Sequence, residues 1–345
     1  MRWQEILKQN ITNKEKLISF LQLDENNEKQ IITHKFFLNI PLRLAHKIPK
    51  NTIDDPLFKQ FVPTIKENTV SEGFSPHPTS EGCFQKDNSR LLQKYHGRAL
   101  LFPTKACNVH CRFCFRKNFD IQTENAGYEK ELKLLQQDAS ITEVILSGGD
   151  PLSCSNRVLG DLLLALDNIS HIKRIRIHSR FILGIPERID EEFISIISQL
   201  KHSKLYFALH VNHPHELDDD IFVSLQKLAK LGVPLLSQTV LLKGVNDNAS
   251  ILEALFNTLV DHGILPYYLH QMDKLQGAKH FEVPIEKGLK IYEILEKRLS
   301  GYALPKYVKE IPHKLSKIAV RDLANHNNNQ LIDYPKIAPT NASLA

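Results

Sequence analysis

Cys107, Cys111 and Cys114 fall within eight residues, in the run Cys-Asn-Val-His-Cys-Arg-Phe-Cys. The spacing is C-x3-C-x2-C, with Phe113 just before the last cysteine and Arg116 and Lys117 just after it. Thiolates are soft ligands for iron or zinc, and a loop this short can wrap one metal centre. Three protein ligands on a four-iron cluster would leave one iron open to a substrate or a cofactor. A structural zinc site wants four ligands instead, and His110 or Cys154 could complete one. Three buried cysteines with no ligand at all are the weakest reading of this spacing.

Further polar clusters occur along the chain: Ser147-Gly148-Gly149-Asp150-Pro151, His178-Ser179-Arg180, His210-Val211-Asn212, Gln238 and His270-Gln271-Met272-Asp273. Glycines let backbone approach a ligand closely, although Gly-Gly-Asp also makes an ordinary turn. His210 and Gln238 can exchange hydrogen bonds with a ribose or an adenine, and either could equally be a satisfied core residue. Arg116 suits bidentate binding of a carboxylate; the alternative is a surface arginine beside Lys117. Asp273 would set a carboxylate across from Arg116, and a buried carboxylate needs a cationic partner. The two outline a pocket for a molecule that is anionic at one end and cationic at the other.

Apolar, strand-like runs position these groups. They begin near Ala99, Glu143, Arg174, Leu205, Pro234 and Leu265, and after the first interval recur roughly every 30 residues, as β/α units do. Helical patterns fill the gaps at 159–167, 187–200, 219–231, 249–262 and 285–299. Six strand–helix units in series predict parallel strands with right-handed crossovers, so the expected fold is α/β, a partial (β/α)6 barrel. Active sites in such barrels lie at the C-terminal ends of the strands, where the polar clusters fall. The stretch before residue 90 reads differently. Ile6, Leu7, Leu17, Ile18, Phe20 and Leu21 suggest short amphipathic helices, and Pro41, Pro49, Pro56 and Pro63 punctuate the segment after them. The organisation expected is a helical N-terminal lobe and connecting arm over 1–90, the barrel over 91–303, and a C-terminal segment and tail over 304–345.

Bulk composition narrows the class. A chain of 345 residues, 42% hydrophobic and 24% charged, suits a globular protein with a substantial core. The net charge of 44 − 39 = +5 is too mild and dispersed to argue for nucleic acid. Five cysteines, three of them clustered, argue against a disulfide framework and for a reducing compartment. The N-terminus lacks the apolar run of a signal peptide, and no stretch approaches the roughly 20 apolar residues of a spanning helix. The expectation is a cytoplasmic protein with no nucleic-acid or membrane partner.

Several runs together resemble the lysine 2,3-aminomutase family of radical S-adenosylmethionine (SAM) enzymes. They are the cysteine loop with its adjoining Phe-Arg, Leu-Ser-Gly-Gly-Asp-Pro-Leu (146–152), Arg-Ile-His-Ser-Arg (176–180), Val-Asn-His (211–213) and Val-Leu-Leu-Lys-Gly-Val-Asn-Asp (240–247). Leu-Pro-Tyr-Tyr-Leu-His (265–270), Ala-Lys-His-Phe (278–281) and Ser-Gly-Tyr (300–302) extend the match, which runs from about Asp55 to Lys317. The short form and Tyr95-His-Gly-Arg-Ala-Leu-Leu are most similar to the branch that serves bacterial elongation factor P. The resemblance implies a [4Fe-4S] cluster on Cys107, Cys111 and Cys114 whose open iron chelates SAM. Gly148, Gly149 and Asp150 would receive the amino end of SAM, with His210 and Gln238 toward its ribose or adenine. It also implies pyridoxal phosphate (PLP) held as a Schiff base by Lys317, with Lys314 the runner-up and Arg98 a further contact. Arg116 would bind the substrate carboxylate, and Asp273 and Glu310 the ε-ammonium of lysine.

The implied reaction converts (S)-α-lysine to (R)-β-lysine. The implied partners are L-lysine, elongation factor P with its lysine ligase, and a reductase or flavodoxin-type electron donor. Some positions depart from the family pattern. Pro312-His313-Lys314-Leu315 replaces a glycine-rich approach to the PLP lysine, and Ile318-Ala319 replaces Thr-Pro, which puts the phosphate-cradling loop in doubt. Asn248 stands where relatives carry a cysteine, and Ala324 to Ala345 contains none, so no intersubunit zinc is expected. Two alternatives stand beside this reading. One is a free-lysine or glutamate 2,3-aminomutase, with Asp273 and Glu310 arguing against glutamate. The other is a non-catalytic metal-binding module.

Overall fold

In the computed structural model, which describes residues 1–33, 36–119, 121 and 127–326, alternation of side chains sets up two faces of one curved sheet. Among the described residues the sheet has nine strands, ordered as they occur in the chain. They are β1 (Leu91–Tyr95), β2 (Arg98–Leu101), β3 (Glu143–Leu146), β4 (Arg174–Ser179), β5 (Lys204–His210), β6 (Leu235–Leu241), β7 (Leu265–Gln271), β8 (Lys306–Lys309) and β9 (Ile318–Ala319). Neighbours from β2 to β8 are parallel, whereas β1 and β9 pair antiparallel at the two ends. The α/β barrel expected from sequence is the architecture observed.

Strand β4 shows the alternation. Ile175 and Ile177 are fully buried in the main hydrophobic core, while Arg176 and His178 turn to a central cavity. Strands β5 to β7 repeat this, with Phe207, Leu209, Leu241 and Leu269 in the core and His210, Gln238 and His270 on the cavity. A strand buried on one face by apolar residues and on the other by polar ones needs both layers satisfied. The apolar layer is covered by the crossover helices Asn156–Asp167, Glu191–Ser198, Asp219–Lys230, Ala249–Asp261 and Ile285–Arg298. Three of these start on side-chain caps: Ser155 accepts from the Val158 N–H, Asp190 from Phe193 and Asn248 from Ser250. Such caps are each worth about 1 kcal/mol.

Strands β1, β8 and β9 and the helices Glu129–Gln137, Phe181–Gly184 and Val320–His326 go beyond the periodic reading. The helix Glu129–Gln137 adds to the crossover before β3. Strand β8, Lys-Tyr-Val-Lys, is a seventh parallel strand of only four residues, too short and polar to give a period-two signal. The two ends of the sheet meet through side chains: Lys94 and Tyr95 of β1 bond Glu310, just past β8.

Residues before β1 build the short helices Trp3–Leu7, Lys14–Leu21, Glu25–Glu28, Leu42–His46 and Pro56–Phe61. Their apolar faces form a second core of Ile11, Leu17, Leu21, Ile40, Leu44, Phe58 and Phe61. Val109, from the middle of the cysteine loop, is buried in that core, and Cys111 packs against it.

Candidate active site

The cysteine loop lies between β2 and β3 and is held from two sides. On the lobe side, Asn39 donates to the Cys107 carbonyl at 3.0 Å and Asn10 to the Asn108 carbonyl at 2.6 Å. The His110 N–H donates to the Asn39 carbonyl and the Arg112 N–H to the Gln60 carbonyl, both at 3.0 Å. Arg112 itself is buried against Glu67 and donates to Thr64 at 2.7 Å. On the barrel side, the Gly149 and Asp150 N–H groups donate to the Thr104 and Ala106 carbonyls at 3.0 and 2.8 Å.

That second set explains the glycines. A Cβ on Gly149 would lie 2.5 Å from the Ala106 carbonyl oxygen, and one on Gly148, at φ +115°, would strike the Phe102 ring. The close approach that Gly149 allows in the structure is to the backbone entering the cysteine loop, and that of Gly148 is to the Phe102 ring. Asp150 is likewise engaged: its carboxylate accepts from Ser179 Oγ at 2.8 Å, from the Arg180 N–H at 2.8 Å and from the Leu152 N–H at 3.0 Å. It holds the turn rather than offering a free carboxylate.

A cavity of about 810 Å³ opens at the C-terminal ends of the strands. Every site residue expected from sequence lines it: the three cysteines, Arg98, Arg116, Gly148, Gly149, Asp150, His210, Gln238, Asp273, Glu310 and Lys317. Lys314, the runner-up to Lys317, does not line it, and neither do His110 and Cys154, the fourth ligands a zinc site would draw on. His110 turns Nδ1 to the Phe37 carbonyl at 2.8 Å. No group of three His, Cys, Asp or Glu among the described residues is placed to hold a single metal ion. Burial pushes all three loop thiols up, Cys111 to about 11 although Arg180 beside it draws it down. Thiolates here need a strong cationic centre at hand.

The charged residues are arranged in two groups. Arg116 is clamped between the Phe102 and Phe115 rings at 5.2 and 4.7 Å. Its Nε and Nη2 donate to Glu81 at 2.8 and 2.7 Å, and its Nη1 donates to Ser147 at 3.0 Å. At the other group, Lys317 Nζ donates to Glu310 at 2.5 Å, and Lys94 and Tyr95 bond the same carboxylate. Burial works to raise Glu310, but Lys317, Lys94 and Tyr95 outweigh it and bring the group down to about 2. Asp273 has no such partners: burial raises it to about 7, with Lys317 pulling only partly the other way.

Known proteins resemble this chain over nearly its whole length. The description "4Fe-4S single cluster domain" matches residues 96–197. The chain is 40% identical to an L-lysine 2,3-aminomutase of Haemophilus influenzae over 91% of its own length and 94% of that protein's. The chain belongs to the lysine 2,3-aminomutase family. The namesake from Escherichia coli is 37% identical over 91% of this chain and 93% of its own. The one from Clostridium subterminale is 31% identical over 90% of this chain but only 75% of its own. Among solved structures, a radical SAM methyltransferase from Sphaerobacter thermophilus superposes with a TM-score of 0.46 at 17% identity, covering 64% of this chain and 68% of that one.

Members of this family are isomerases that use a [4Fe-4S] cluster, SAM and PLP, and the cavity fits such a load. Arg98 Nε, Arg176 Nε, His178 Nε2, Arg180 Nε and His210 Nε2 are buried without a hydrogen-bond partner, and all five residues line it. An unpaired buried polar group costs about 1–3 kcal/mol, so five around one cavity mark groups that a polar ligand completes. Burial, followed by neighbouring arginines, holds His178 and His210 well below the usual histidine range. They are neutral donors and acceptors at physiological pH. His313, in the departing loop before Lys317, takes φ +63°, a left-handed conformation that favours glycine.

Some partners escaped the sequence reading. Glu81 sits in a Gly-, Pro- and Ser-rich loop with nothing to distinguish it, yet it holds Arg116. Lys94 precedes its partner Glu310 by 216 residues. No local pattern reports such a pair.

Proposed function

We propose that this chain is a radical SAM, PLP-dependent aminomutase that converts (S)-α-lysine to (R)-β-lysine for modification of elongation factor P. The observation that carries the reading is one cavity lined together by the three loop thiols, the Arg116 guanidinium, the Asp273 carboxylate and Lys317. Bound there, the cluster, SAM and PLP would supply the radical chemistry that moves an amino group between adjacent carbons. Cys107, Cys111 and Cys114 would hold the iron, and His210 and Gln238 would hydrogen-bond the nucleoside of SAM. Gly148, Gly149 and Asp150 would form the turn at its amino end. Arg98 and Lys317 would anchor PLP.

The protein's own part is to fix the substrate at both ends. Arg116 presents its remaining N–H groups to the α-carboxylate, its plane set by two rings and by Glu81. Asp273 receives the ε-ammonium, a cation that relieves its buried charge further than Lys317 and Lys309 do. Glu310 is held by Lys94 and, while Lys317 is free, by Lys317 as well. Were Lys317 to hold PLP, Glu310 Oε2 would keep Tyr95 but lose one donor, and could then accept from the same ammonium. Walls of Phe113, Tyr268 and Met272 keep water from the reacting carbons.

Two features support the elongation factor P branch. The chain covers 94% and 93% of its Haemophilus influenzae and Escherichia coli relatives but 75% of the Clostridium subterminale one, and it carries Glu310 at the second ammonium position. The deciding experiment is an anaerobic incubation of the reconstituted protein with SAM, PLP, a reductant and L-lysine, followed by chiral chromatography. The expected product is (R)-β-lysine. SAM cleavage without β-lysine would overturn the substrate, and β-lysine formation in cells whose elongation factor P stays modified without this chain would overturn the acceptor.

A further inference from the structure

His178-Ser179-Arg180 closes strand β4, and of these three residues Arg180 has no place in the chemistry described so far. It is a buried guanidinium, 5% exposed, and its surroundings are unusual for a structural arginine. Nη1 donates to Cys111 Sγ at 3.0 Å. Nη2 donates to Gln60 Oε1 at 2.6 Å and to Glu216 Oε2 at 2.5 Å. The guanidinium lies 4.7 Å from the Phe61 ring and 5.7 Å from the Phe113 ring.

The partners are themselves fixed. Glu216 is fully buried, and its other oxygen accepts from Gln60 Nε2 at 3.1 Å and from the Asn212 and His213 N–H groups at 3.0 and 2.9 Å. Gln60 also accepts from Asn212 Nδ2 at 2.9 Å, and its carbonyl takes the Arg112 N–H inside the cysteine loop at 3.0 Å. Gln60 belongs to the N-terminal helix Pro56–Phe61. The arginine therefore stands where the lobe, the barrel and the cysteine loop meet, with one N–H aimed at a ligand sulfur.

We propose that Arg180 is a positioning residue for the iron–sulfur cluster, holding Cys111 by an N–H···S hydrogen bond and setting the cluster's reduction potential, with Gln60 of the N-terminal lobe and Glu216 fixing the guanidinium. This rests on the reading above that the three thiols carry such a cluster. Hydrogen bonds to cluster sulfurs and nearby charge are among the levers that set these potentials. A reduced cluster carries one more negative charge than an oxidised one. A cation donating to one of its sulfurs favours the reduced form and raises the potential. Glu216 opposes that charge and moderates it. The lobe acquires a function in this scheme: it presents Gln60 and so governs how directly the cation faces the sulfur.

The test is an electron paramagnetic resonance-monitored redox titration of the full-length, anaerobically reconstituted protein and three variants, together with iron and sulfide analysis. Arg180→Gln removes the cation and is expected to lower the potential. Glu216→Gln removes the opposing charge and is expected to raise it. Arg180→Lys keeps the charge on a single ammonium that cannot serve all three partners, and is expected to fall between Arg180→Gln and the parent. Shifts of opposite sign are the signature, because a merely structural role would reduce cluster uptake in all three without moving the potential in two directions. If Arg180→Gln takes up no cluster, the signs of Glu216→Gln and Arg180→Lys decide alone. Unchanged potentials in the variants that load would overturn the proposal while leaving the cluster reading intact. A parent protein that binds zinc in place of iron and sulfide would instead overturn the reading on which it rests.

Discussion

At the scale of residues, two buried carboxylates in one cavity are driven in opposite directions, and the difference has consequences that can be measured. Glu310, despite burial, is brought down to about 2 by Lys317, Lys94 and Tyr95. Asp273 is raised to about 7, chiefly by burial. An aspartate raised above its unfolded value near 4 keeps its proton in the folded chain between that value and about 7. The folded state then binds more protons than the unfolded one, so Asp273 makes stability fall as pH rises through that window. Asp273→Asn removes the charge. The ligand-free variant should be more stable than the parent at pH 8 by about 1–3 kcal/mol, with the difference fading toward pH 4, as read by denaturant unfolding. Lysine affinity in the parent should rise as pH passes 7, because the ammonium needs the ionised carboxylate, and it should be weak and flat with pH in the variant. A variant no more stable than the parent at pH 8 would mean that another group already neutralises Asp273. The sequence placed a carboxylate at 273 and another at 310. It could not say which one stands charged, since that is decided by burial at Asp273 and, at Glu310, by Lys317 together with Tyr95 and Lys94, the last of them 216 residues before it.

At the scale of elements, the repeating units were legible because each one answers to a local rule. Strands β2 to β7 announce themselves as apolar runs, and the five crossover helices lie within a few residues of the periodic stretches that marked them. Strand β8 and the helix Glu129–Gln137 were not legible, the first through shortness and the second through a polar composition. The Gly148-Gly149 turn was legible as a turn next to a site, but its reason was not. Gly149 makes room for the Lys105–Ala106 backbone and Gly148 for the Phe102 ring, contacts that no spacing reveals. Gly149→Ala would put a methyl 2.5 Å from the Ala106 oxygen and 2.6 Å from the Lys105 carbonyl carbon. Real Cβ atoms do not sit that close to backbone, so the segment leading into Cys107 must shift. We expect Gly149→Ala to retain parental helix and strand content by circular dichroism yet lose iron uptake several-fold on anaerobic reconstitution. Gly301→Ala, where a Cβ meets nothing within 4 Å, is the control that should take up iron normally. Equal iron in both would show that the loop tolerates the displacement.

At the scale of the whole molecule, the N-terminal lobe and the barrel are coupled through the cysteine loop rather than merely placed side by side. Sequence reasoning found short helices and prolines before residue 90 and no chemistry, because every contact that matters there joins residues tens of positions or more apart. Asn10 shows this most simply: it is 6% exposed and donates to Asn39 at 2.8 Å and to the Asn108 carbonyl, 98 residues away, at 2.6 Å. Arg43 and Lys47 add ion pairs to Asp218 at 3.1 and 2.6 Å, but these are partly exposed and contribute little. The buried amide therefore counts for more than these ion pairs, beside the buried Gln60 contacts to Arg180, Glu216 and Asn212. Asn10→Ala strands a buried carbonyl next to Cys107, at a cost of about 1–3 kcal/mol. If the lobe acts as the loop's outer wall, this variant should unfold earlier and also release iron to a chelator faster than the parent. The potential of the cluster that remains should stay where it was, because Arg180 is untouched. A lowered unfolding midpoint with parental iron release would separate the two effects and assign Asn10 to the lobe's own stability. Faster release at an unchanged potential would show that the lobe retains the cluster through the loop backbone, independently of the side chain that tunes it.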